Sequence, residues 1–100
     1  GYSHFIVSCK WEANPAGAPY LDLLRARMAK RPGTFGLLVS VGGFAKTLIH
    51  EAESNTSLGL VVLFGKGDLE DLFDFDVKLE KLLKDKHTQL VRHRRVEFKD

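Results

Sequence analysis

At 100 residues, with 44% hydrophobic and 28% charged side chains, the chain suits one domain with its own core and is too apolar for a disordered tract. Its formal net charge of +2 is mildly basic, which permits a nucleic-acid partner without requiring one. The lone cysteine, Cys9, excludes an internal disulfide and fits a reducing, cytoplasmic compartment; no apolar run approaches the ~20 residues of a membrane-spanning helix, and a signal-peptide pattern is lacking.

In chain order, the first element is a strand from His4 to Trp11. Phe5, Val7, Cys9 and Trp11 alternate with His4, Ile6, Ser8 and Lys10, so the first set is expected in the core and the second on a mostly polar face. The loop Ala13-Asn14-Pro15-Ala16-Gly17 ends this strand. A helix is predicted from about Pro19 to Lys30, with Leu21, Leu24 and Met28 at helical spacing and Tyr20 beside them; Arg31-Pro32-Gly33 stops it.

Two nearly continuous apolar runs follow, Phe35 to Val41 and Leu58 to Phe64, the pattern of parallel strands buried on both faces. Between them, Gly42-Gly43-Phe44 leads into a helix ending near Ser54, with Ala45, Leu48, Ile49 and Ala52 inward. Asp68 is expected to cap a short helix with Leu69, Leu72 and Phe73 inward. Asp76 is expected to cap a longer one with Leu79, Leu82, Leu83 and Leu90 inward. Val96-Glu97-Phe98 alternates weakly and reads as a short strand. The sum is a single α/β domain over residues 1–100, with a three-stranded, mainly parallel sheet and helices on both faces.

Residues two apart on a strand share a face, so Ser8, Lys10 and Glu12 form the first chemical candidate. A lysine beside a carboxylate at a strand end can stabilise a charged phosphoryl transition state or orient a water. Metal-assisted phosphodiester hydrolysis needs hard oxygen ligands, usually two carboxylates, and Glu12 is the only one on this strand. The competing reading is a solvated lysine on a half-exposed strand.

Phe5 to Trp11, FIVSCKW, resembles the "ECKW" strand of Mrr-type restriction endonuclease-like domains of the PD-(D/E)XK nuclease superfamily. The likeness continues in order. Pro32 to Phe44 is similar to the family's "G-x-F-[IV]-S-x-x-G-F" strand and turn, Val61 to Leu72 to its hydrophobic strand followed by "G-x-D-L", and Val77 to His87 to its "L-x-x-L-L-x-x-K" helix. The resemblance spans about residues 4 to 95 and implies the later part of a restriction-endonuclease-like core, with the N-terminal part of the family domain absent. It implies a DNA-associated domain, Mg2+-dependent hydrolysis of DNA, and Lys10 as the residue that polarises the water or phosphate.

Two departures limit that implication. Ser8 stands where the family carries Glu or Gln, and the family's Asp lies on a strand that would precede Gly1. Of the family's usual three catalytic residues only Lys10 is matched, with Glu12 as a substitute two residues further on. Mg2+ is therefore not expected to bind this chain alone, and no metal ligand is assigned.

Arg25, Arg27, Lys30 and Arg31 form one basic cluster, and Arg92-His93-Arg94-Arg95 a second; either can contact DNA phosphates, or be a solvated face. Trp11 and Tyr20 are candidates for stacking on bases, against core or hinge packing. Amides at Gly42-Gly43 can hold a phosphate, or form only a tight turn. His4, His50, His87 and His93 have no metal-ligand spacing. Three functions compete: a nuclease domain with its catalytic set incomplete; a non-catalytic DNA-binding or dimerisation module; and a Rossmann-like small-ligand domain. The expected partners are DNA and either a second copy or a chain supplying the missing N-terminal part. An open edge on the first strand favours the second copy, and a folded-back Val96-Glu97-Phe98 is the alternative cover.

Overall fold

The structure, a computed structural model, describes residues 4–54, 57, 59–74, 79–93, 95, 96, 98 and 99. Three strands, β1 (His4–Lys10), β2 (Thr34–Ser40) and β3 (Val61–Phe64), make a parallel sheet in the order β1-β2-β3. Four helices complete the fold: α1 (Ala18–Ala29), α2 (Lys46–Ser54), α3 (Lys66–Asp74) and α4 (Leu79–His93). The expected α/β class, the parallel sheet and the flanking helices are present. No helix of the described residues is long and apolar enough to cross a membrane.

The central strand separates two cores. On one face Leu38, Val61 and Leu63 pack with Leu21, Leu24 and Met28 of α1 and Leu48 and Ala52 of α2. On the other, Leu37, Val39, Val62 and Phe64 pack with Phe35, Leu69 of α3 and Leu83 of α4. Residues of β2 with both odd and even numbers are therefore buried, which is why the run reads as continuously apolar. Gly36 of β2 lies against the Met28 and Leu24 side chains of α1. A Cβ there would lie 2.7 Å from the Met28 sulfur and 3.0 Å from Leu24, so a larger residue would force those side chains to shift.

The expectation that β1 sends Phe5, Val7, Cys9 and Trp11 into the core is overturned. Phe5 and Val7 are 46% and 45% exposed, Trp11 is 66% exposed, and Cys9 is exposed. The inward set is Ile6, Ser8 and Lys10, and Lys10 is only 4% exposed. The reason lies in coverage. Helices α1 and α2 cover the Lys10 face, whereas on the opposite face the contacts of α3 and α4 are to β2 and β3.

Other boundaries shift modestly. β3 begins at Val61 rather than Leu58; Gly59 has φ 119° and Leu60 lies outside the strand, although its carbonyl accepts the Gly36 N–H. Helix α3 starts at Lys66, so Asp68 lies within its first turn and takes the Gly65 N–H on its carboxylate at 2.9 Å, the returning half of a capping box. Asp76 and the side chains of Leu72, Phe73, Leu79 and Leu82 lie outside the described residues, while Leu83 is half-buried and Leu90 buried.

Val96 and Phe98 are not in a strand. The C-terminal segment is instead tied down beyond β3 and α2. Val96 N–H donates to Glu53 at 2.9 Å, Lys99 N–H to Asp68 at 2.7 Å, and the Phe98 and Phe44 rings meet edge-to-face at 4.8 Å. None of these contacts is to β1, so among the described residues the segment does not form the C-terminal cap on that edge; Glu97 lies outside them.

Candidate functional site

Lys10 ends β1 beside Ser40 of β2, and its buried side chain runs toward the loop that follows its own strand. Nζ donates to the Asn14 carbonyl at 2.5 Å and to Asn14 Oδ1 at 3.0 Å, and lies 5.7 Å from the centre of the Tyr20 ring. Glu12 Oε2 is 3.9 Å away on a side chain that is 70% exposed. An exposed partner at that distance contributes little, because water screens it. The stem of Lys10 thus fills the end of the sheet and its ammonium closes the 10–14 loop.

Sequence reasoning missed Asn14 as the principal partner of Lys10. The four-residue spacing gives no clear signal, because the contact depends on how the loop turns. Tyr20 is half-buried against the first core, in the packing role rather than the stacking one. Ser8 is half-buried on the same strand face as Lys10. Ser40 is fully buried, and its hydroxyl has no hydrogen-bond partner among the described residues.

The three sequence candidates, Ser8, Lys10 and Glu12, therefore gather one hydroxyl, one internally bound ammonium and one exposed carboxylate. This donor set does not fit a resident Mg2+, which favours several hard oxygen ligands. Among the described residues no cluster of three or more His, Cys, Asp or Glu side chains is arranged to hold a metal.

The Gly42-Gly43 turn is built for close approach. A Cβ on Gly42 would lie 2.4 Å from both the Ala13 and Asn14 carbonyl oxygens, and Gly43 adopts φ 82°. Ala16 N–H donates to the Gly43 carbonyl at 3.0 Å, and Ala45 N–H to the Ala16 carbonyl at 2.9 Å. Carbonyl oxygens crowd this turn, which disfavours an anion there and leaves the tight-turn reading the better supported.

The first basic cluster is divided. Arg25 is buried and shares its guanidinium between the Glu51 carbonyl at 3.4 Å and the Gly59 carbonyl at 3.5 Å, with no partner for Nε among the described residues. Burial lowers its pKa from the ordinary value, opposed by Glu51 and then Asp22, yet an arginine this far above neutrality stays charged. It bolts α1 to the end of α2 and is not presented to solvent. Arg27, Lys30 and Arg31 are exposed at the other side of the same helix end. In the second cluster Arg95 is exposed, while the side chains of Arg92 and Arg94 lie outside the described residues.

A second polar cluster was not anticipated. Asp68 and Lys86 form a buried ion pair at 3.2 Å, and Lys86 Nζ lies 5.0 Å from the Phe64 ring centre. The same carboxylate oxygen takes the N–H groups of Gly65 and Lys99, and Lys99 Nζ bridges to Asp71 at 3.0 Å. A cavity of about 490 Å³ opens beside it, lined by Asp85, Thr88, Gln89 and Phe98 among others. Among the described residues, Asp68 ties Gly65 at the start of α3 to Lys86 of α4 and to Lys99 of the C-terminal segment, which makes this a structural clamp. The Gly65-x-x-Asp68 spacing carries the capping part of that signal; the pairing with Lys86, 18 residues on, does not show in the sequence.

The outer face of β1 is the remaining candidate surface. Phe5 meets Phe35 at 5.6 Å between ring centres, and Phe35 in turn meets His87 at 6.2 Å. Beside them a cavity of about 400 Å³ lies between Phe35 and Leu83, Lys84, His87 and Thr88 of α4. Comparison of the chain with protein-family models, with curated proteins and with solved structures finds no match.

Proposed function

We propose that this chain is a DNA-associated, non-catalytic module that resembles part of a restriction-endonuclease-like domain, binds duplex phosphates, and associates with a second copy of itself. The observation that carries the non-catalytic half is the engagement of Lys10. Its ammonium is buried and held by both oxygens of Asn14, and the one carboxylate near it stands in solvent. A lysine so held is poorly placed to polarise an attacking water, and the carboxylates that would bind Mg2+ are not gathered around it. Arg27, Lys30, Arg31 and Arg95 are exposed cations suited to phosphate contacts. The Rossmann-like small-ligand alternative finds less support, because the Gly42-Gly43 turn faces carbonyl oxygens.

Two assays on the purified chain test this reading. Incubated with plasmid and Mg2+ or Mn2+, it should leave the DNA intact; cleavage abolished by Lys10→Ala would restore the nuclease reading. Titrated against a fluorescent duplex, it should bind with an affinity that falls steeply with salt and varies little with sequence. Affinity unchanged from low to physiological salt would remove DNA from the account.

A further inference from the structure

We infer that β1 is a self-complementary interface strand, on which a second copy of this chain docks its own β1 antiparallel about Ser8 to make one continuous six-stranded sheet. The inference rests on the dimer reading above and supplies its surface and register. In the sheet order β1 is terminal, so its outer edge pairs with no strand of the described residues. The direction of its backbone groups follows from one contact, the Val41 N–H donating to the Lys10 carbonyl at 3.2 Å. Lys10 therefore turns its peptide groups toward β2, and by the two-residue period so do Ile6 and Ser8. Phe5, Val7 and Cys9 turn theirs toward the open edge. These are also the residues whose side chains form the exposed apolar row. One set of residues offers both backbone that pairs with no described strand and exposed apolar surface, the combination by which strand edges recruit another strand.

The register follows from the same parity. In an antiparallel pair, residues that face each other share a sheet face and point their backbone groups to the same side. Odd residues must then meet odd residues, which leaves few alignments. Centring on Val7 sets His4 against the lysine Lys10 and Phe5 against Cys9, and brings no two aromatic residues of β1 opposite each other. Centring on Ser8 sets Val7 against Cys9 and Ile6 against Lys10 and, just past the end of β1, brings Trp11 of the second copy to Phe5 and the acidic Glu12 toward His4, each pair occurring twice. Aromatic cross-strand pairs are among the stabilising ones, and this alignment makes two of them. A two-fold axis through Ser8 generates the contact and closes it at two chains. About eight residues a side is fewer than the 20–30 of a standard stable interface, so the dimer should be weak, half-formed on the order of tens of micromolar.

The test is sedimentation equilibrium of the full chain without DNA, from a few to several hundred micromolar, with Trp11 emission recorded across the same range. Trp11 is the only tryptophan, so its emission reports the interface directly. The expected result is a monomer–dimer equilibrium with a blue shift in emission as the dimer fills. Val7→Lys, which places a charge on an already exposed position, should weaken association about tenfold or more while the circular dichroism is unchanged. Phe5→Lys serves as the second variant should the first not fold. A single-chain mass at every concentration overturns the inference, as does a dimer indifferent to folded forms of both variants. A dimer that forms with no change at Trp11 overturns the Ser8 register. The measurement is independent of DNA, so loss of DNA binding alone would overturn the proposed function and leave this interface standing.

Discussion

Phe5 and Phe64 lie on the same face of the same sheet, at its two opposite edges, and meet opposite environments: Phe64 is 1% exposed and Phe5 46%. Both are phenylalanines on apolar strands. What separates them is the chain that follows. After β3 the polypeptide enters α3 and α4, which lay Leu69 and Leu83 over β3 and β2. On this face β1 keeps an uncovered row. Burial here is decided by which elements reach a strand, and the apolar pattern of the strand only states what would be buried if something came.

The sharpest way to break this comparison is to truncate both rings. Phe64→Ala should cost about 4 kcal/mol of unfolding free energy, the usual loss for a large buried aromatic. Phe5→Ala should cost under about 1 kcal/mol in the dilute monomer, since little is uncovered. Equal losses in urea denaturation would mean that the outer face of β1 is covered after all.

The buried pair at the covered edge gives the next effect. Asp68→Ala removes the shared acceptor of the Gly65 and Lys99 amides and the acid partner of Lys86, and should cost about 3 kcal/mol. It should also increase exchange of the Lys99 amide, measured by NMR. A loss below about 1 kcal/mol would show that the C-terminal segment holds without this clamp.

The comparison repeats on one helix turn in the basic residues, where Arg25 is buried and Arg27 exposed. Arg25→Ala should lower stability by about 2 kcal/mol through lost packing and carbonyl contacts, leaving the salt dependence of the proposed DNA binding unchanged. Arg27→Ala should leave stability within about 0.5 kcal/mol and reduce the slope of log affinity against log salt by about 1. The reverse pattern would mean that the exposed end of α1 is not the DNA-facing surface.

The smallest effect is expected at Ser40, beside Lys10, whose buried hydroxyl has no partner among the described residues. Ser40→Ala should be neutral or should raise stability by up to about 1 kcal/mol, because it removes an unsatisfied polar group. Destabilisation beyond that, read from the denaturation midpoint, would show that the hydroxyl is in use.

Much of the fold was legible because it rests on local pattern. The two continuous apolar runs identified β2 and β3 as doubly buried, and Leu21, Leu24 and Met28 named the inner face of α1. Alternation in β1 was also legible, but alternation names two faces without saying which one a helix will cover. The more apolar set was assigned to the core, and α1 instead covers Ile6, Ser8 and Lys10. The candidate site was less legible. Lys10 could be singled out as a lysine at a strand end, but its hold on Asn14 depends on a loop conformation that has no periodic signal. Arg25 looked like its neighbours Arg27 and Lys30, and only the packing of α1 against α2 separates them.

Whether the outer edge of β1 is an interaction surface is tested most directly by residue-resolved amide hydrogen exchange along that strand. In dilute solution the amides of Ile6, Ser8 and Lys10 should exchange slowly through their bonds to β2, and those of Phe5, Val7 and Cys9 quickly. At several hundred micromolar the second set should become protected while the first changes little. Protection of Phe5, Val7 and Cys9 already present in the dilute monomer, or rapid exchange at those three positions that persists at high concentration, would contradict the account.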